Sequence, residues 1–483
     1  MKKALFLLII SIVILASACQ TTDNTADHIV QQETPLEQTS KEEAPIIAET
    51  PTEVTSGTKA SEPEVTIAEG EASTNDLKTY LCCIYYSNYP ENKPTAFTIG
   101  GTETGYNKIY LSQGNNRKQI PDIIDRSFID YDDFVFPMNS VFYLGDLPGI
   151  RKTGIGSTLN NIKIKNEAVN AVCVAESKYC SFYVEDSLSI PTHSFSSIVS
   201  QIDLYIDTVR SIFGKESDID QNGKVIFLIT DNIKAPIVGY YSPADRFSKT
   251  AVKESNEGDI LYISDSVINS SISLALSCLV HEFTHMTIWD NNLINGNEDI
   301  DLFSVSEGIA RWSESLVTDN YTVYNSIGCY LSCTKVHDLL EEDDADIYGL
   351  GVLFISYLKE RYGIELLKHL AISPFSSIEI IEILTGKNIS EVYEDMARCL
   401  LATGANNISS PYYLPGLNDG SNGFSFSEII KDFLYSAPEH SITSKQNLFA
   451  DKMNPLSMYF LIYEGTAPPV FFSGRAKLIY LEI

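Results

Sequence analysis

The chain has 483 residues and carries 64 acidic against 34 basic side chains, for a net charge of −30. So acidic a balance excludes a nucleic-acid binder, because phosphate recognition needs clustered lysine and arginine. Apolar residues make up 44% of the sequence, and the roughly 400 residues expected to fold imply two or three domains.

In chain order, Lys2-Lys3, an apolar run from Leu5 to Ala16, and Ala16-Ser17-Ala18-Cys19 predict a secretory signal over residues 1–18. The run is too short and wrongly flanked for a membrane-spanning helix. Ala16 and Ala18 suit ordinary signal peptidase, whereas Cys19 after a small residue fits a bacterial lipoprotein acceptor. Residues 20–76 favour the second reading, with no aromatic, four prolines, thirteen acidic residues and two basic ones. Such a stretch cannot bury a core, and a disordered acidic tether over 19–76 is expected to hold the rest off a membrane.

Residues 77–190 contain strand-like runs such as TYLCCIYY, TAFTI, NAVCVA and CSFYVED between turn-forming residues, and predict a β-rich module. From residue 195 the pattern becomes mixed, with a helix over 196–213, strands over 224–230 and 259–263, and a helix over 271–289. Further helices are expected over 304–317, 347–361, 377–385 and 389–402. After Gly404 turns and strands return, predicting a second β-rich module over 404–483. Within this frame, Asp218-x-Asp220-x-Asn222-Gly223 resembles the first half of a calcium loop. Ile229 stands at its twelfth position in place of glutamate, and an Asx-rich turn is the alternative. Cys173 with Cys180 and Cys329 with Cys333 are candidate disulfides, and a fully reduced set is equally compatible with the spacing.

His281-Glu282-Phe283-Thr284-His285 carries the chemistry. Histidines four residues apart on a helix project from one face a turn apart, where both can bind one metal. Glu282 is rotated about 100° from His281, close enough to reach a metal-held water without ligating the metal. This is the donor set of a zinc hydrolase. Leu274, Leu276, Leu279, Val280, Phe283, Met286 and Ile288 make the segment a largely buried helix, with Ser270, Ser271 or Ser273 as N-cap. Plain alternatives are core histidines bonded to carbonyls, or a structural zinc that also takes Cys278. Ile288 and Asn291 replace the glycine and third histidine of HExxHxxGxxH, which excludes a metzincin. Glu307, twenty-two residues after His285, would complete a His, His, Glu site. Against it stand a capping box between Ser304 and Glu307, and the rival acids Glu298, Asp299 and Asp301.

HEFTHM followed by SEGIARWSE resembles the gluzincin metallopeptidases, most closely the hyicolysin family of bacterial secreted proteases. The resemblance also covers FGKESDIDQNGKVIFLITD, GYYSPAD and SNEGDILYI, and spans about residues 180 to 370. It implies that His281, His285 and Glu307 bind zinc and that Glu282 is the general base. Thr284 and Ser306 depart from the residues common at those positions in the family. The segment Tyr348-Gly349-Leu350-Gly351 is similar to one that supplies an oxyanion-stabilising tyrosine in related aminopeptidases, which makes Tyr348 a candidate for that role. Arg311, four residues after Glu307, is a candidate to orient it, with a simple helix-surface pair as the alternative.

The expectation is an α+β fold: a gluzincin-type metallopeptidase domain over 191–403, with mixed sheet and helical subdomain, flanked by the two β-rich modules. Its expected activity is extracytoplasmic endopeptidase cleavage of proteins or peptides by Glu-assisted attack of zinc-bound water. The cofactor is Zn2+, with Ca2+ at the 218–222 turn as an addition. A lipid anchor on Cys19 would place it at the bacterial cell envelope; without the anchor it would be secreted. The competing expectation is a catalytically idle surface lipoprotein that binds host or envelope proteins.

Overall fold

The computed structural model describes residues 77–90, 93–100, 108–110, 153–164, 167–234, 237–294, 302–317, 321–333, 335–341, 347–373, 375–435, 440–443, 446–473 and 475–483. The expected signal, Cys19 and the tether lie outside these residues, as do Glu298, Asp299 and Asp301.

The described chain opens with strands β1 (Lys78–Tyr86), β2 (Thr95–Gly100) and β3 (Lys108–Tyr110). Next come β4 (Thr158–Ile164), β5 (Glu167–Glu176), β6 (Cys180–Glu185), helix α1 (Ser196–Phe213), β7 (Val225–Thr230), β8 (Gly239–Tyr241) and β9 (Ile260–Ser264). The main helices follow: α2 (Ile272–Ile294), α3 (Phe303–Ser313), α4 (Tyr321–Ser332), α5 (Ile347–Tyr362), α6 (Ile364–Ile372), α7 (Ser377–Thr385) and α8 (Ile389–Gly404). A two-residue strand, β10 (His337–Asp338), separates α4 from α5. Strands β11 (Ser441–Thr443), β12 (Asn447–Met453), β13 (Ser457–Gly465), β14 (Val470–Ser473) and β15 (Lys477–Glu482) close the chain.

Strands β4-β5-β6-β7-β9-β8 form a six-stranded mixed sheet in that order. At its centre β6, β7 and β9 run parallel, and β8 is an antiparallel edge strand. Parallel neighbours need a crossover, and α1 supplies it between β6 and β7. The central strands are buried on both faces, which explains their unbroken apolar runs. Alternation divides them between two cores: Phe182, Phe227 and Leu261 face the helical side, whereas Tyr183, Leu228 and Tyr262 face the other.

The two flanking modules take a different form from the one expected. Strands β4 to β6, assigned to the first module, belong to the same sheet as β7 to β9. Strand β1 lies between β13 and β15, so that Tyr80 stands opposite both Tyr463 and Glu482. Strand β2 lies between β12 and β14. Sequence periodicity marks where strands are and which face is apolar, but partners some 400 residues apart leave no local signal. Nor do the candidate disulfides form: the eight described cysteines make no disulfide.

Helices α3 and α5 meet backbone to backbone. A Cβ on Gly308 would lie 2.7 Å from the Gly351 carbonyl oxygen, and one on Gly351 would collide with the Ser304 carbonyl oxygen. Only glycine permits this approach, and it is α3 that carries Glu307. Gly351→Ala should therefore destabilise the fold by about 1–3 kcal/mol, as overpacking does. The check is the midpoint of denaturant unfolding, which should fall; an unchanged midpoint would mean that α3 moves aside freely.

Candidate metal centre

Helix α2 is encased nearly all round: Ala275, Leu279, Val280, Phe283 and Met286 are fully buried. Its N-terminus is capped by Ser271, whose Oγ accepts from Leu274 N at 3.1 Å. The buried hydroxyls of Thr284 and Thr287 bond back to the carbonyls of Val280 and Phe283, both at 2.8 Å, so they impose no unsatisfied group on the core. Near its C-terminal end the helix is pinned by a buried ionic knot. Arg246 Nε donates to Asp290 Oδ1 at 2.7 Å, its other nitrogens reach Asp290 and Asp259, and one also bonds the Ser217 carbonyl at 3.3 Å. Arg246 follows edge strand β8, so the knot ties that strand's turn to the metal helix.

The helix presents His281 and His285 on one face, and α3 brings Glu307 against them. His281 Nε2 and His285 Nε2 are 3.2 Å apart; Glu307 Oε2 lies 3.3 Å from the first and Oε1 3.4 Å from the second. Ligands about 2.0–2.1 Å from a tetrahedral ion are about 3.3–3.4 Å from one another; the two ring nitrogens have nearly that spacing, and the Glu307 carboxylate turns one oxygen to each at a like distance. Ser304 spends its hydroxyl on the Leu339 carbonyl at 2.6 Å, and α3 begins after Leu302, so the alternative capping box with Glu307 does not form. Cys278 is turned away from the triad, with its Sγ 3.7 Å from the Val238 carbonyl.

Glu282 is 1% exposed, and its Oε2 makes no hydrogen bond within the protein. A buried carboxylate oxygen without a partner is costly. It fits a group that awaits a water or substrate. Burial raises the Glu282 pKa, opposed by the two histidines. Strand β8 passes directly over it: a Cβ at Gly239 would lie 3.1 Å from Glu282 Oε1 and 2.9 Å from Cys278 Sγ.

Glu314 is the residue that the sequence reading missed. It accepts from His281 Nδ1 at 2.8 Å, is held by Arg311 at 2.7 Å and by Thr322 Oγ1, and is 1% exposed. With Nδ1–H committed to this carboxylate, Nε2 is left as the bare, ligating nitrogen. Seven residues from Glu307 is two helical turns, so the SEGIARWSE spacing does place Glu314 on the same side and could have disclosed it. Arg311 pairs with Glu314 rather than orienting Glu307 directly, a correction to the role expected for it. Burial opposes charge on His281, but Glu307 and Glu314 outweigh it and push the metal-free imidazole up to about 10. Glu314→Gln should weaken metal affinity about 10–100-fold, the usual cost of losing such an orienting carboxylate. A competition titration against a chelating dye measures this directly, and unchanged affinity would remove Glu314 from the site.

Tyr348 lies on α5, 1% exposed, with its ring edge-on to Phe303 at 5.8 Å and under the Arg311 guanidinium at 5.2 Å. Phe303, Glu307 and Arg311 recur every four residues along α3, so the ring packs against the face of α3 that carries Glu307.

The candidate calcium turn is only partly assembled as expected. Asp218 and Asp220 come together with Asp259, their carboxylates close enough to share an ion. Asn222 Oδ1 instead accepts from Lys224 N at 2.6 Å, and Asp218 accepts from Gly223 N, the turn chemistry that was the alternative reading.

A helix that offers two imidazoles and an unpartnered carboxylate, with a third donor from the next helix, defines a candidate mononuclear metal centre. Over 258 residues the chain is 25% identical to the neutral metalloprotease ShpI of Staphylococcus hyicus, a match that covers 48% of this chain and 57% of that protein. The chain thus spans little more than half the length of that curated relative, and the likeness supports a metalloprotease. No protein-family model matches the chain.

Proposed function

We propose that this protein is a zinc-dependent endopeptidase of the gluzincin type, similar to the hyicolysin family, that works outside the cytoplasm. The observation that carries the reading is the close set of His281, His285 and Glu307, with ring nitrogens 3.2 Å apart and a Glu307 oxygen 3.3–3.4 Å from each, beside the unpartnered oxygen of Glu282. His281, His285 and Glu307 are the residues that would hold the metal. Bound zinc would polarise a water and the scissile carbonyl. Glu282 takes the proton of the attacking water at its carboxylate and passes it to the leaving amine nitrogen. Its raised pKa suits this exchange, because a carboxylate that is too weak a base would not accept the proton.

Among the described residues β8 is the last strand of its sheet, and an extended peptide would add to the sheet there, beside Glu282. Tyr348 is assigned to the oxyanion that forms at the carbonyl, on the strength of its place against the face of α3 that carries Glu307. A lipid on Cys19 belongs to the same proposal and would tether the enzyme at the bacterial envelope. No calcium is assigned to the 218–223 turn.

The test is metal analysis of the purified protein together with hydrolysis of a quenched casein substrate. One zinc per chain, hydrolysis abolished by a chelator and restored by added zinc, and a fall of about 100–1,000-fold in kcat for Tyr348→Phe are expected. Stoichiometric zinc with no turnover on any protein would leave a binding protein instead. Tyr348→Phe with unaltered kcat would return that ring to packing alone.

A further inference from the structure

A second array of reactive groups lies outside the metal centre. Cys333 follows the last turn of α4, and His337 opens β10 four residues later. His337 Nε2 is 3.2 Å from Cys333 Sγ, and His337 Nδ1 is 2.9 Å from Glu341 Oε2. Glu341 also pairs with Lys335, and these contacts outweigh burial to keep its carboxyl ionised. A carboxylate on Nδ1 fixes the imidazole with Nε2 as the acceptor, so the Cys333 thiol donates to it. This is the order of groups that converts a thiol into a thiolate–imidazolium pair. Among the other described buried thiols, burial drives Cys82, Cys83, Cys180 and Cys278 upward, Cys173 to about 11 and Cys399 to about 12. Among the described residues, Tyr330 on α4 also lies 6.4 Å ring to ring from His337, and burial holds Asp338 toward its neutral form.

We propose that Cys333, activated by His337 and Glu341, is a modification site for small disulfides. The Cys333 thiolate attacks one sulfur of the disulfide, the S–S bond breaks, and the second half leaves as a thiolate that takes the proton held by His337. The product is a mixed disulfide on Cys333. Access comes through the chain that carries the array: β10 is two residues long and stands at the edge of its sheet, the kind of element that opens most readily. His337 is fully buried, so the added group must displace it. That displacement pulls on Leu339, whose carbonyl holds Ser304 at the start of α3. Thiolation should therefore loosen residues 335–341 and the first turn of α3.

The experiment treats the zinc-loaded full chain with 5,5′-dithiobis(2-nitrobenzoate) at about pH 6, well below the ~8.5 of an ordinary thiol. Peptide mapping locates the label, and hydrogen exchange reports the segment. Cys333 should be labelled first, and at least about tenfold faster than in His337→Asn, with exchange raised in 335–341 and 303–306 after labelling. Glu341→Gln, at a partly exposed position, gives the same comparison if His337→Asn does not fold by near-ultraviolet circular dichroism. Equal labelling rates in wild type and a folded variant, or first labelling at another cysteine, would overturn the activated thiol. Unchanged exchange after complete labelling would overturn its coupling to α3.

Discussion

Replacing Glu282 by glutamine should leave the metal in place and lower kcat by about 10²–10⁴-fold, the range that a positioned general base contributes. Glutamine keeps the shape and removes the proton acceptor. Because Glu282 is not one of the three close-set donors, zinc content should remain at one per chain. His281→Ala, His285→Ala and Glu307→Ala should behave differently, losing metal and activity together. The two kinds of outcome separate a base from a ligand, and atomic absorption beside single-turnover kinetics reads them both. If Glu282→Gln keeps near-normal turnover, the proposed proton path is wrong; if Glu307→Ala keeps its zinc, the third donor lies elsewhere.

The largest stability effect is expected far from the chemistry, at Arg246. Its guanidinium is 0% exposed and satisfies Asp290 and Asp259, which are themselves almost fully buried. Arg246→Ala would leave two carboxylates in the interior without their cation, a change that typically costs about 3–5 kcal/mol. Denaturant unfolding should show this loss, and the variant is expected to be poorly soluble or unfolded at physiological temperature. Arg246→Ala with Asp290→Ala and Asp259→Ala together should recover much of it, because the stranded charges are then gone. A loss below about 1 kcal/mol for the single variant would show that water reaches the knot.

The metal helix was legible in the sequence because its signals are local. The apolar run, the i, i+4 histidines and the Ser271 cap all fall within one segment. Glu307 was reachable through spacing, and Glu314, two turns further along the same motif, was open to the same argument; what no local pattern shows is that its carboxylate meets the Nδ1 side of His281. The pairing of β1 with β13 and β15 had no such signal: an apolar strand reads alike whichever strand it joins. Arg246 was invisible for a related reason. A lone arginine in a turn resembles a surface residue until the fold brings Asp259 and Asp290 to it.

The placement of β1 between β13 and β15 has a bearing on timing. Leu81, Cys83 and Tyr85 of β1 belong to the same continuous core as the helices around the metal site. That core cannot be sealed until a partner synthesised nearly 400 residues later has docked, and contacts so distant in sequence form slowly. A chain still leaving the ribosome would hold the helices around the site without their final cover. The complete site would then form only after β15 has emerged.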